Sequence, residues 1–60
     1  MTLEFARKEA QRRANETGNS YIVVRAKHNL DIPEDDRYMV CLTLPLHGDR
    51  VGDRIYPASV

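Results

Sequence analysis

The stretch Ser20-Tyr21-Ile22-Val23-Val24-Arg25-Ala26-Lys27 decides how the rest of the chain is read. It combines β-branched residues with alternating character and follows a helix-stop signal at Gly18. A helix ahead of it is expected to fold onto one face, and a later strand to pair along an edge. Side chains alternate along a strand, so Ile22, Val24 and Ala26 share one face, and Tyr21, Val23, Arg25 and Lys27 share the other. The Ile22 face is expected to receive the helix.

Upstream, residues 2–17 read as that helix. Thr2 suits the N-cap, Glu4 lies in the first turn where the helix dipole favours an acid, and Gly18 suits a left-handed stop. At 100° per residue, Leu3, Ala6, Ala10, Ala14 and Thr17 form one narrow stripe, mostly alanine. Small side chains allow a close approach but each buries little area. The charges pair along the helix as Glu4–Lys8, Glu9–Arg13, Glu9–Arg12 and Arg13–Glu16. Phe5 falls opposite the stripe. The first turn is expected to bend and tuck it under an edge; the other reading is an exposed aromatic anchor for a partner.

Downstream, His28 to Asp36 reads as a connection with turn chemistry at Pro33-Glu34-Asp35-Asp36. Arg37 to Leu44 reads as the second strand, stopped by Pro45. Both of its faces are apolar, which implies that both are covered, one of them by the C-terminal segment or by another chain. The tail repeats itself as Gly48-Asp49-Arg50-Val51 and Gly52-Asp53-Arg54-Ile55. The first copy reads as a turn. The second reads as the lead into a short third strand, Arg54-Ile55-Tyr56, ended by Pro57, and the poor strand propensity of Gly and Asp leaves its pairing open.

Sixty residues make one domain, 1–60, with a thin core. The single cysteine, Cys41, excludes an intrachain disulfide, so self-association or a bound partner is the expected extra source of stability. A charged N-terminus without an apolar run argues against a secretory signal and a membrane span, and a free thiol fits the cytoplasm. Nine basic and nine acidic side chains cancel, yet they are unevenly spread. Residues 1–27 carry six basic and three acidic side chains, and residues 28–60 the reverse. Such a dipole can orient on a charged partner but has no general pull toward nucleic acid.

Catalytic and metal chemistry find little support. His28 and His47 are expected at opposite ends of a hairpin with Cys41 between them, too far apart for zinc ligation or a thiolate–imidazole pair. Asp31 to Asp36 lacks the spacing of a calcium loop, and the glycines form no phosphate-binding motif. No catalytic residue, cofactor or metal is expected.

The expected architecture is α+β: one N-terminal helix packed on a two- or three-stranded antiparallel sheet in the order α-β-β-β. The expected role is a non-enzymatic protein-interaction module. In size and lack of catalytic groupings the chain resembles the small orphan proteins of phages and mobile elements. That resemblance implies an inhibitor that binds a larger host complex, as anti-CRISPR proteins do. Asp31, Glu34, Asp35 and Asp36 would then occupy a basic groove on the partner, with Phe5 as a second contact. The alternative is nucleic-acid binding by a basic and aromatic sheet face, Tyr21, Arg25, Lys27 and Tyr38. A third reading is a homodimer joined through a sheet face or edge.

Overall fold

The computed structural model describes residues 1–27 and 31–58. A helix, α1 (Leu3–Thr17), packs against a three-stranded antiparallel sheet of β1 (Tyr21–Ala26), β2 (Tyr38–Cys41) and β3 (Gly48–Ile55). A 3-10 turn at Glu34–Asp36 precedes β2.

The helix begins and ends as its sequence directs. The Thr2 hydroxyl accepts from the Phe5 N–H at 3.2 Å, and Gly18 stops the helix at φ 78, where its N–H donates to the Ala14 carbonyl. Ala6, Ala10 and Ala14 are fully buried, so the alanine stripe is the packing seam. The tail runs back along this helix. Gln11 Nε2 donates to the Tyr56 carbonyl at 2.9 Å, and Asn15 Oδ1 accepts from the Ala58 N–H at 2.8 Å.

The strand order is β2-β1-β3, so β1 is the central strand. Ile22, Val23 and Val24 are all but inaccessible to solvent. Each such burial contributes about 1.5–3 kcal/mol. The face under the helix is the reverse of the expected one. Tyr21 and Val23 form the core with the three alanines, joined by Leu3, Tyr38, Val40, Val51 and Ile55. Ile22 and Val24 point to the far face. Both faces of β1 are apolar, so hydrophobicity alone did not distinguish them.

The tail also departs from expectation. Residues 48–55 form one strand, not a turn and a stub. Its register against β1 runs from Ala26↔Gly48 to Val23↔Val51, then shifts so that Tyr21 meets Ile55. Residues 52–54 bulge opposite Ile22, and Gly52 adopts φ 76, which glycine tolerates best. The four-residue echo preserves facing across this bulge. Val51 and Ile55 both join the core under the helix.

Because β2 and β3 each run antiparallel to β1 from opposite sides, they are parallel to each other. The connection 42–47 must therefore cross β1, and α1 leaves it only the far face. The diagonal from Cys41 to Gly48 is about 16 Å, within the ~24 Å reach of seven extended residue steps. The second strand accordingly ends at Cys41, three residues before the expected stop.

Candidate interaction surface

Ile22 and Val24 on the far face are closed from two directions. The crossing connection covers Val24, with Gly48 packed tightly beneath the Val24 side chain and Pro45 beside it. Arg54 closes the other end. Its Nη1 donates to the Ser20 hydroxyl at 3.0 Å, the Ser20 carbonyl at 3.4 Å and the Leu42 carbonyl at 3.1 Å. Leu42 follows the last residue of β2, so the Arg54 side chain spans the sheet opposite Ile22. The far face of β1 is thus covered by the connection and by Arg54 of the C-terminal segment.

Residues 42–47, with a bend at 42–43 and a turn at 46–47, are all exposed. Leu42, Leu44 and Leu46, spaced at every second residue, remain 52, 55 and 93% exposed. They lie within an uncharged run, Tyr38 to Leu46. Sequence reading placed Leu42 and Leu44 inside a strand and passed over Leu46. The usable signal was the alternation Leu-x-Leu-Pro-Leu, where Pro45 bars a central strand.

The expected acidic contact residues lie at the end of the sheet where β2 begins. The carboxylates of Asp31, Asp35 and Asp36 form no ion pair among the described residues, whereas Glu34 faces Arg25 at 3.6 Å. Phe5 does not tuck under an edge. The helix runs regularly through it and leaves it 55% exposed beside an open depression lined by Thr2, Glu4 and Lys8.

The residues of the nucleic-acid alternative are not gathered on an open face. Tyr21 is buried beneath the helix, and its hydroxyl lies 3.1 Å from Thr17 Oγ1. Tyr38 packs against the same core. Arg25 pairs with Glu34, and Lys27 with Asp49 at 3.2 Å. The reversed helix face accounts for this: the surface expected to be free is the one the helix covers.

The helix charges pair largely as expected. Glu9 bonds to both Arg12 and Arg13, and Lys8 to Glu4. Glu16 pairs with Arg12 at 2.8 Å instead of Arg13. The Arg12 hydrogen bond is the main force holding the Glu9 carboxyl below the usual carboxylate range, with Arg13 adding to it against a desolvation cost. Burial raises the Cys41 thiol.

The position of His47 differs from the one expected. The Lys27 N–H donates to the His47 carbonyl at 3.0 Å, so His47 returns to the end of β1 where Lys27 lies. The crossing connection brings it there; His28 lies outside the described residues. Among the described residues no three His, Cys, Asp or Glu side chains are placed to hold a metal ion, and no helix is long and apolar enough to cross a membrane. No family model, curated protein or solved structure matches the chain.

Both outer edges of the sheet are blunted. On β3 the edge carries Asp49, Arg50, Asp53 and Arg54 and is broken by the Gly52 bulge. On β2, the Tyr38 N–H donates to the Met1 carbonyl at 3.2 Å, and the Met1 amino group donates to the Asp36 carbonyl at 2.7 Å. Edge pairing is therefore the less accommodating route to a partner. The leucine row is the more open one.

Proposed function

We propose that the chain is a protein-interaction module that works by binding through the crossing connection. The observation that carries this reading is the group Leu42, Leu44 and Leu46, three exposed leucines on a short uncharged segment. Isolated exposed leucines are ordinary, but three on one connection of six residues fit a contact site. A pull-down from the native source with wild-type and Leu44→Glu/Leu46→Glu baits tests it. Proteins retained by the wild type and lost by the variant support the reading. An identical profile from both baits removes it.

The inhibitor reading specifies a target with a basic groove. Asp31, Asp35 and Asp36, whose carboxylates have no ion-pair partner among the described residues, supply the acidic complement. Reversing Asp35 and Asp36 to lysine should then slow association with such a target and weaken its salt dependence. Unchanged kinetics would count against it. Nucleic-acid binding keeps its salt test, a steep loss of affinity with rising salt, but loses the stacking surface formed by Tyr21.

A further inference from the structure

We propose that the connection 42–47 is a lid over the far face of the sheet, latched by Arg54, and that it opens while the helix side stays folded. The proposal does not depend on what the leucines bind, so either reading can fail alone.

The two faces of β1 are sealed in unlike ways. Val23 and Val24 are neighbours of equal burial, at 1% and 0% exposure. Val23 belongs to a cluster fixed from the helix, from β2 and from β3, whereas Ile22 and Val24 lie outside it. Over Ile22 and Val24 passes a segment whose six residues are all exposed, its three leucines included. Side chains that face solvent contribute little to holding the segment down. Hydrogen bonds hold its ends. Arg54 Nη1 donates to the Leu42 carbonyl at 3.1 Å, and the Lys27 N–H donates to the His47 carbonyl at 3.0 Å. Between them, Thr43, Leu44 and Leu46 form no hydrogen bond among the described residues.

Arg54 is the tie that can release. The Lys27 tie is a main-chain bond, whereas Arg54 reaches from β3 with a side chain and grips Ser20 and Leu42 through one nitrogen. Those acceptors are neutral, and Asp53 beside Arg54 forms no ion pair with it among the described residues. Rotation of the Arg54 side chain frees the Leu42 end, and the segment then swings about the His47 end. A partial opening that gives up few apolar contacts costs less than global unfolding. It uncovers Ile22 and Val24 in an apolar strip with Cys41 and Met39, which the register sets opposite them on the same face.

Native-state thiol labelling of the full chain tests the lid. In a Cys41→Ser background, Val24→Cys places a probe under the connection, and Val23→Cys places an equally buried one under the helix. Labelling by iodoacetamide is followed by mass at increasing urea, and each variant's global unfolding by circular dichroism. Val23→Cys should react at the rate its global unfolding allows. Val24→Cys should react at least about tenfold faster than its own global unfolding allows, with little dependence on urea. Adding Arg54→Ala should speed the Val24→Cys reaction roughly tenfold, the scale of the lost hydrogen bonds. Adding Tyr21→Phe, which removes a hydroxyl under the helix, should speed Val23→Cys alone. If Val24→Cys does not fold, Ile22→Cys, 1% exposed on the same face, takes its place.

Labelling of the far-face probe only through global unfolding overturns the lid. A local opening that Arg54→Ala leaves unchanged overturns the latch. Equal acceleration of both probes by Tyr21→Phe overturns an opening confined to the far face.

Discussion

Gly48 and Val24 are packed so closely that a single methyl group on Gly48 has no room beside Val24 Cγ1. The backbone at Gly48 is not left-handed, so the glycine is required by space and not by conformation. Gly48→Ala should destabilise the fold by about 1–3 kcal/mol, the usual cost of overpacking. Urea unfolding measures this directly, and a change within about 0.5 kcal/mol would contradict it. Trimming Val24 to alanine in the same chain should relieve part of the Gly48→Ala loss, as contacting sites are not additive.

Arg50 and Arg54 occupy equivalent places in the four-residue echo but have unequal roles. Arg54 bonds to Ser20 and Leu42 and covers Ile22, whereas Arg50 is exposed. Arg54→Ala should cost the monomer about 1–3 kcal/mol through lost bonds and lost stem packing. Arg50→Ala should change monomer stability by no more than about 0.5 kcal/mol. Thermal unfolding of both variants at dilute concentration checks the contrast, and equal effects would show that Arg54 does not hold the far face closed.

Tyr21 is the most buried aromatic residue, and its hydroxyl meets Thr17 Oγ1 at 3.1 Å. Tyr21→Phe should cost about 0.5–1.5 kcal/mol. Thr17 also donates to the Arg13 carbonyl, so Thr17→Val removes more than the shared bond. A double-mutant cycle isolates the pair; additive losses would show that the contact contributes nothing.

The alanine stripe leaves no space for larger side chains, since Ala6, Ala10 and Ala14 are fully buried against the sheet. Ala10→Leu should destabilise by at least about 1–3 kcal/mol, although leucine has nearly the helix propensity of alanine. Stability equal to the wild type would mean that the seam between helix and sheet can open at little cost.

Glu9 supplies a pH signature. Its carboxyl titrates below the ordinary range in the folded chain, chiefly through the Arg12 hydrogen bond. A lowered folded value means that the contribution is complete above the unfolded carboxylate value and is lost as pH falls through the folded one. Unfolding midpoints followed from about pH 5 down to pH 3 should decline less steeply in Glu9→Gln than in the wild type. Added salt should shrink the difference, because the Arg12 side of the pair is exposed. Parallel profiles would remove Glu9 from the acid response.

Much of the fold was legible in local signals. Thr2 and Gly18 bracket the helix, the alanines mark its buried stripe, and Tyr21 to Val24 mark the central strand. What was not legible depended on tertiary choices. Tyr21-Val23 and Ile22-Val24 offer two apolar faces, and the local pattern does not say which one meets the helix and which the crossing connection. Residues 48–55 looked unsuited to a strand because of Gly48 and Gly52. Those glycines are what the strand needs, one for the close approach to Val24 and one for the bulge. The exposed leucines were hidden because Leu42 and Leu44 fit a strand that Pro45 merely ends.

The central position of β1 also carries a consequence for synthesis. Both strands that pair with Tyr21–Ala26 come later in the chain, and the last of its pairings, Tyr21↔Ile55, joins residues 34 positions apart. A ribosome releases Ile22-Val23-Val24 with neither edge paired, and the sheet cannot close until Ile55 has emerged. The helix, complete at Thr17, is available long before then, and its alanine seam is the first surface on which Tyr21 and Val23 can shelter.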